Sequence, residues 1–167
     1  MAAQWRMTGS NERFVGADPD EIYRVISDVT STGQRSDERR SAEWLQDGPA
    51  AGQVGSRFRG RNKSGVARWS RVCEVVEAHP GVSFAFRTVP ERLDLSRADS
   101  TTWRYDLMPQ DGGTLVRHSY EITRMPMQPF RALYGALMPH HRDMRPAIKH
   151  TLDSLADHCE GPATQPA

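Results

Sequence analysis

The chain lacks a long apolar run. Nothing in its 167 residues approaches the ~20 consecutive apolar positions of a membrane-spanning helix, and the opening Met1-Ala2-Ala3-Gln4-Trp5-Arg6 has no apolar signal stretch, so a cytoplasmic protein without integral membrane association is expected. Charge of one sign is also missing: 22 basic residues stand against 21 acidic ones for a net charge of +1, with no long block of either, which removes the electrostatic basis for nucleic-acid binding. Cysteine is scarce. Cys73 and Cys159 have no zinc-ligand spacing, which excludes a disulfide scaffold and leaves two reduced core thiols. There is no P-loop, dinucleotide fingerprint, nucleophile-elbow serine or internal repeat, so no cofactor is implied and hydrolase, NTPase and transcription-factor readings have no support.

What is present is punctuation. Asp18 can cap a helix that carries Pro19 in its first turn and Ile22, Val25, Ile26 and Val29 on one side, after a first strand expected over Asn11–Gly16. Gly33 interrupts a polar stretch from Thr30 to Arg40, which reads as a short second helix or a loop. Six strand-like runs follow: Ala42–Gln46, Ser56–Asn62, Val66–Ala78, Val82–Val89, Thr101–Met108 and Thr114–Thr123. They are separated by Asp47-Gly48-Pro49, Lys63-Ser64-Gly65, His79-Pro80-Gly81, the polar span Pro90–Ser100 and Gln110-Asp111-Gly112-Gly113. Beyond Pro126 and Pro129 the period changes, and Met144, Ile148, Leu152 and Leu155 recur at helical spacing in a long final helix reaching about Cys159, which Gly161-Pro162 ends. One helix, consecutive hairpins and a last helix make a segregated α+β order with an antiparallel meander.

Strand parity supplies an apolar face for that sheet: Trp103, Tyr105 and Leu107; Val116, Tyr120 and Ile122; Phe84 and Phe86; with Arg104, Asp106, Arg117 and Glu121 opposite. Arg57, Arg59, Arg61 and Lys63 alternate as a solvated strand face would place them, with a phosphate or anionic-lipid surface as the other reading.

The stretch Val54-Gly55-Ser56-Arg57-Phe58-Arg59-Gly60-Arg61-Asn62, then Trp69-Ser70, Cys73-Glu74-Val75-Val76-Glu77-Ala78-His79-Pro80-Gly81, Phe84-Ala85-Phe86 and Asp99-Ser100-Thr101-Thr102-Trp103-Arg104-Tyr105, resembles the polyketide cyclase/dehydrase-like branch of the START-like (SRPBCC) superfamily. Asp18-Pro19-Asp20-Glu21-Ile22-Tyr23 and Ser27-Asp28-Val29 extend the likeness over nearly the whole chain, to about Glu160. The resemblance implies a helix-grip fold, a curved antiparallel sheet around a long C-terminal helix, with residues 1–160 as one START-like domain and 161–167 as a flexible tail. It also implies an internal cavity for a small hydrophobic molecule, in a superfamily that holds lipid carriers, hormone receptors, aromatase/cyclases and co-chaperone domains, so fold alone names no activity. Similar sequences often carry Trp-Ser-Pro-Glu where this chain reads Arg35-Ser36-Asp37-Glu38, which removes an aromatic available for stacking there.

The candidate cavity set from parity is Trp69, Arg71, Cys73, Phe84, Phe86, Trp103, Tyr105, His118 and Tyr120, closed by Met144 and Ile148; the same residues could equally fill a solid core. His118 points a titratable imidazole inward. It could be a general acid or base in a cyclisation or dehydration, with Tyr120 or Tyr105 as a second proton donor, or a structural histidine bonded to a neighbouring carbonyl. An inward Arg71 needs a carboxylate or a ligand oxygen, and would hold an acidic or carbonyl-bearing ligand. His140, His141 and His150 lack a ligand constellation with Asp143, so no metal is expected and these side chains are assigned to a solvated helix surface. Three functions follow: a carrier or binder of a small hydrophobic molecule, a cofactor-independent cyclase, aromatase or dehydratase acting on a polyketide-like or lipid-derived substrate with His118 as acid/base, and a protein-interaction or stress-response module.

Overall fold

The computed structural model describes residues 4–34, 39–91 and 98–161. Strand β1 (Thr8–Val15) leads into helix α1 (Pro19–Ser27), whose first turn is closed by the Asp18 carboxylate accepting from the Asp20 amide at 2.9 Å. A 3₁₀ segment, Val29–Gln34, then carries the chain to β2 (Arg39–Trp44), and a meander follows: β3 (Arg57–Ser64), β4 (Ala67–His79), β5 (Ser83–Thr88), β6 (Ser100–Gln110) and β7 (Gly113–Arg124). The last part of the chain is α2 (Phe130–Leu137), a 3₁₀ turn at Pro139–Arg142 and α3 (Arg145–Glu160).

All seven strands form one antiparallel sheet in the order β1-β7-β6-β5-β4-β3-β2. The meander is the product of local hairpins, and β1 is the exception, since it pairs with the last strand. Thr8 faces Glu121 and Val15 faces Thr114, so β1 begins three residues before the expected Asn11, where the long β7 offers ladder partners to a sequence too polar to announce itself. The expected second helix is the 3₁₀ segment, and Arg35–Glu38, where the family aromatic is missing, lies outside the described residues, as does the tail after Gly161.

The long final helix is α3, starting at Arg145, and the sequence reading did not mark the helix before it: Pro139 ends α2, and Asp143 takes an extended conformation (φ −144°, ψ 105°) between the two. The predicted stripe survives the break: Met144 sits just before α3, and it and Ile148, Leu152 and Leu155 are all buried against the sheet.

α3 lies over β1 and β7, and inward positions of β1 together with the residue that follows the strand hold it. Asn11 donates to the Arg145 carbonyl at 2.7 Å, Arg13 pairs with Asp153 at 2.7 Å, and the Gly16 amide donates to Glu160 at 2.9 Å. Gly9, the next inward position, has no room for a side chain: a Cβ there would stand 2.6 Å from Tyr120 and 2.8 Å from Arg145. With α3 fastened at this edge and α1 over part of β5 and β6, the rest of the concave face, from β3 to β7, is left for the site.

Candidate functional site

A cavity of about 600 Å³ lies between that concave face and the segment from Met125 to Thr151. Its floor follows strand parity. β4 contributes Trp69, Arg71 and Cys73, β5 contributes Phe86 and Thr88, β6 contributes Thr101, Trp103 and Tyr105, and β7 contributes His118 and Ile122. Met144 and Ile148 form the helix side. Lys63, Gly65, His140 and Ala147 also border it, and the exposure of the last three shows that it opens to solvent between the β3–β4 hairpin tip and the start of α3.

Two members of the predicted set do not border this cavity. Phe84 is wholly buried, edge-on to Tyr23 of α1 at 6.1 Å, so the helix covers the position that parity alone leaves open. Tyr120 is 2% exposed and serves as a structural post: its hydroxyl donates to the Arg6 carbonyl at 3.1 Å and accepts from the Met144 amide at 3.5 Å. Burial pushes its phenol above the ordinary range, and so placed it cannot be the second proton donor imagined beside His118.

His118 is 4% exposed and stacked flat on Tyr105, its cross-strand partner, with ring centroids 3.8 Å apart and planes 8° from parallel. Trp103 lies alongside at 5.9 Å. The Nδ1 atom is 3.0 Å from the carbonyl oxygen of Arg104, and a carbonyl can only accept, so Nδ1 carries the proton and Nε2 the lone pair. Burial lowers the imidazole from its ordinary value near 6.5 to about 4, the bond to the Arg104 carbonyl opposing this only in part. The ring is therefore neutral at pH 7, and it presents a hydrogen-bond acceptor rather than an acid.

Arg71 does point inward, and the protein supplies its counter-charge. Its guanidinium donates to the Asp99 carboxylate at 2.7 Å and to the Asp99 carbonyl at 3.0 Å, with both side chains largely buried at 12% and 15% exposure. The expected grip on an acidic ligand is corrected accordingly, since the pair is neutral as a unit. Asp99 escaped the sequence reading although it has the parity of Thr101, Trp103 and Tyr105, and extending that alternation two residues upstream would have found it.

The far end of the cavity is built by residues with no strand parity to reveal them. Tyr134 of α2 stacks on Trp5 at 5.9 Å, and its hydroxyl lies 2.6 Å from Nδ1 of His141, whose ring meets Trp69 edge-on at 6.3 Å. His141 is thus an intramolecular bridge across the rim, a correction to its assignment as a solvated surface residue. Gly135 permits the closure: a Cβ there would lie 3.1 Å from both Trp5 and Arg142. Among the described residues there is no group of three or more His, Cys, Asp or Glu side chains placed to hold a metal ion.

On the convex side of the sheet, the charge-rich parity is neutralised locally. Arg104 pairs with Glu77 and with Asp106, and its bond to Glu77, with one from Ser83, holds the Glu77 carboxyl below the usual range. Arg57 pairs with Asp47 and Arg61 with Glu43, so two of the alternating cations of β3 have counter-ions on this face, while Lys63 borders the cavity.

Residues 6–160 match the profile of a family described as polyketide cyclase / dehydrase and lipid transport. Among solved structures, the protein TTHA0849 from Thermus thermophilus is similar at 17% identity and a TM-score of 0.68, over 94% of this chain and 99% of that one. The di-domain ARO/CYC StfQ from the steffimycin biosynthetic pathway is similar at 13% identity and a TM-score of 0.66, over 92% of this chain and half of that chain. Major latex-like protein 151 from Panax ginseng is similar at 13% identity and a TM-score of 0.63, over 93% of this chain and all of that one. At these identities the likeness concerns the fold alone, and no curated protein matches the sequence significantly.

Proposed function

The chain belongs to the polyketide cyclase / dehydrase and lipid transport family, and from that premise we propose that it binds a small, uncharged, largely apolar molecule bearing a hydroxyl or carbonyl group. The observation that carries this reading is the chemistry of the cavity wall. Trp69, Phe86, Trp103 and Tyr105 supply aromatic surface, while the polar groups among them, His118 and the Arg71–Asp99 pair, bear no net charge at pH 7. Lys63 borders the cavity at the hairpin end, but a charged ligand seated among the aromatic groups would find no counter-ion there; a hydroxyl could donate to Nε2 of His118, and a carbonyl could accept from Arg71. The volume falls within the ~300–1,000 Å³ of ordinary small-molecule sites.

Native mass spectrometry of freshly purified protein tests the proposal. A co-purified apolar molecule, displaced by an environment-sensitive dye and retained less well by Trp103→Ala, supports it; an empty protein that takes up no apolar dye refutes it. A cyclase or dehydratase reading draws support from one specific feature, the unprotonated Nε2 of His118 in an aromatic pocket. An imidazole near 4 is a weak base at neutral pH, which favours binding over proton transfer. His118→Gln separates the two: a binder loses affinity by the worth of one hydrogen bond, about 0.5–1.5 kcal/mol, whereas an enzyme loses turnover and keeps its ligand.

A further inference from the structure

Both lips of the cavity carry the same unusual surface. On one side is the β3–β4 hairpin, where Val66 is fully exposed at the tip between Lys63 and Arg68. On the other is the segment from Arg124 to Arg142, where Met127, Leu133 and Leu137 are 68%, 56% and 71% exposed. Leu133 and Leu137 lie one helical turn apart on α2, on the face turned away from Gly135 and Trp5, so its leucines face solvent while Tyr134 and Gly135 face the protein. Four of the nine large hydrophobic side chains exposed among the described residues, including the three most exposed, therefore stand on the two segments that border one opening.

The charge follows the same segments. Residues 62–69 and 124–142 contain Lys63, Arg68, Arg124, Arg131 and Arg142 and no aspartate or glutamate. In a chain of net charge +1 this leaves the remainder net negative. Arg57 and Arg61 of β3, which precede the hairpin tip, have carboxylate neighbours in Asp47 and Glu43.

We infer that the cavity mouth docks on an anionic phospholipid surface, with Val66, Leu133 and Leu137 entering the headgroup region and Arg68 and Arg131 pairing with lipid phosphates. Exposed apolar tips flanked by cations and free of acids fit that partner, because the apolar side chains leave water and each cation near the surface adds electrostatic attraction. The orientation brings the opening against the bilayer, so an apolar molecule could pass between membrane and cavity without crossing water; that consequence rests on the proposed ligand binding, while the docking itself does not.

The experiment is flotation of the full chain with vesicles of phosphatidylcholine alone and of phosphatidylcholine mixed with phosphatidylglycerol. Binding is expected only to the anionic vesicles and should weaken with added salt. Arg68→Gln and Arg131→Gln should each reduce it roughly fivefold, and Leu133→Ser combined with Leu137→Ser by roughly tenfold or more. Val54→Ser, an equally exposed apolar change at the opposite end of β3, should leave it unaltered. None of these side chains borders the cavity, so dye uptake in solution is read in the same variants. Retained dye with no vesicle binding, equal binding to both vesicle types, or indifference to the leucine and arginine changes would each overturn the docking and leave the ligand proposal standing. Capture of an acidic protein by a chain that ignores vesicles would overturn it in favour of a protein partner.

Discussion

Acidification should strike the cavity wall before it strikes the surface. His118 is depressed to about 4 by burial, while in the unfolded chain it returns to its ordinary value near 6.5. Above about pH 6.5 both states hold the ring neutral and the group contributes no pH dependence. Between there and about pH 4 the unfolded chain takes up a proton that the folded one refuses, so stability falls as pH falls, at up to about 1.4 kcal/mol per unit and about 3 kcal/mol in all. That is a large fraction of the ~5–15 kcal/mol that holds a typical domain together. Asp143, held at about 2 by Arg145, and Glu77 and Asp153, held low by Arg104 and Lys149, lose their contributions only as pH falls below their unfolded values near 4. Urea unfolding of the native chain and of His118→Gln, run in steps from about pH 7 to about pH 4.5, isolates the imidazole. The native midpoint should fall more steeply across that window than the variant's. Equal slopes would show that His118 titrates alike in both states, and the neutral-wall argument for the ligand would go with it.

Three other perturbations bear on the architecture. Ile148→Asp places a carboxylate without a partner on the buried stripe of α3 and should unfold the domain, and near-normal thermal stability would remove the helix-grip packing. Asp99→Asn should cost about 3–5 kcal/mol by leaving the Arg71 charge uncompensated, whereas Arg71→Met with Asp99→Leu should be far milder; a double change as damaging as the single one in chemical denaturation would refute that account. Gly9→Val should destabilise by about 1–3 kcal/mol, because a Cβ there collides with Tyr120 and Arg145, and an unchanged melting temperature would mean that β1 and α3 are not fastened as described.

The hairpins were readable because their turns depend on single residues. Gly65, Gly81 and Gly112 each take a positive φ where the punctuation was read, and the strand limits follow to within a few positions. The concave face was readable by alternation, and His118, Trp103, Tyr105 and Arg71 all stand on it. Alternation gives a side, however, and not what lies across from it: Phe84 and Phe86 share a parity, but Tyr23 covers only the first. Tyr120 is lost to the cavity because its hydroxyl is held between the Arg6 carbonyl and the Met144 amide, partners that alternation along β7 does not reveal. α2 escaped detection because its leucines face solvent, and a periodicity rule that takes apolar residues as buried reads such a helix backwards.

The place of β1 has a kinetic consequence. Every other neighbouring pair in the sheet is joined by a local turn or one connecting loop, but the contacts of β1 span the molecule: Asn11 bonds to Arg145 across 134 positions, and Arg13 to Asp153 across 140. Closing so long a loop costs chain entropy that only the finished β7 and α3 can offset, so β1 should be the last strand of the sheet to dock during refolding. Amide protection in pulsed hydrogen exchange should arise in β3 to β6 before Thr8–Val15, and simultaneous protection would contradict this order. Until β1 arrives, β7 is an open edge and the polar side of α3 has no partner, which makes the interval before closure the period in which two such chains could exchange their first strands.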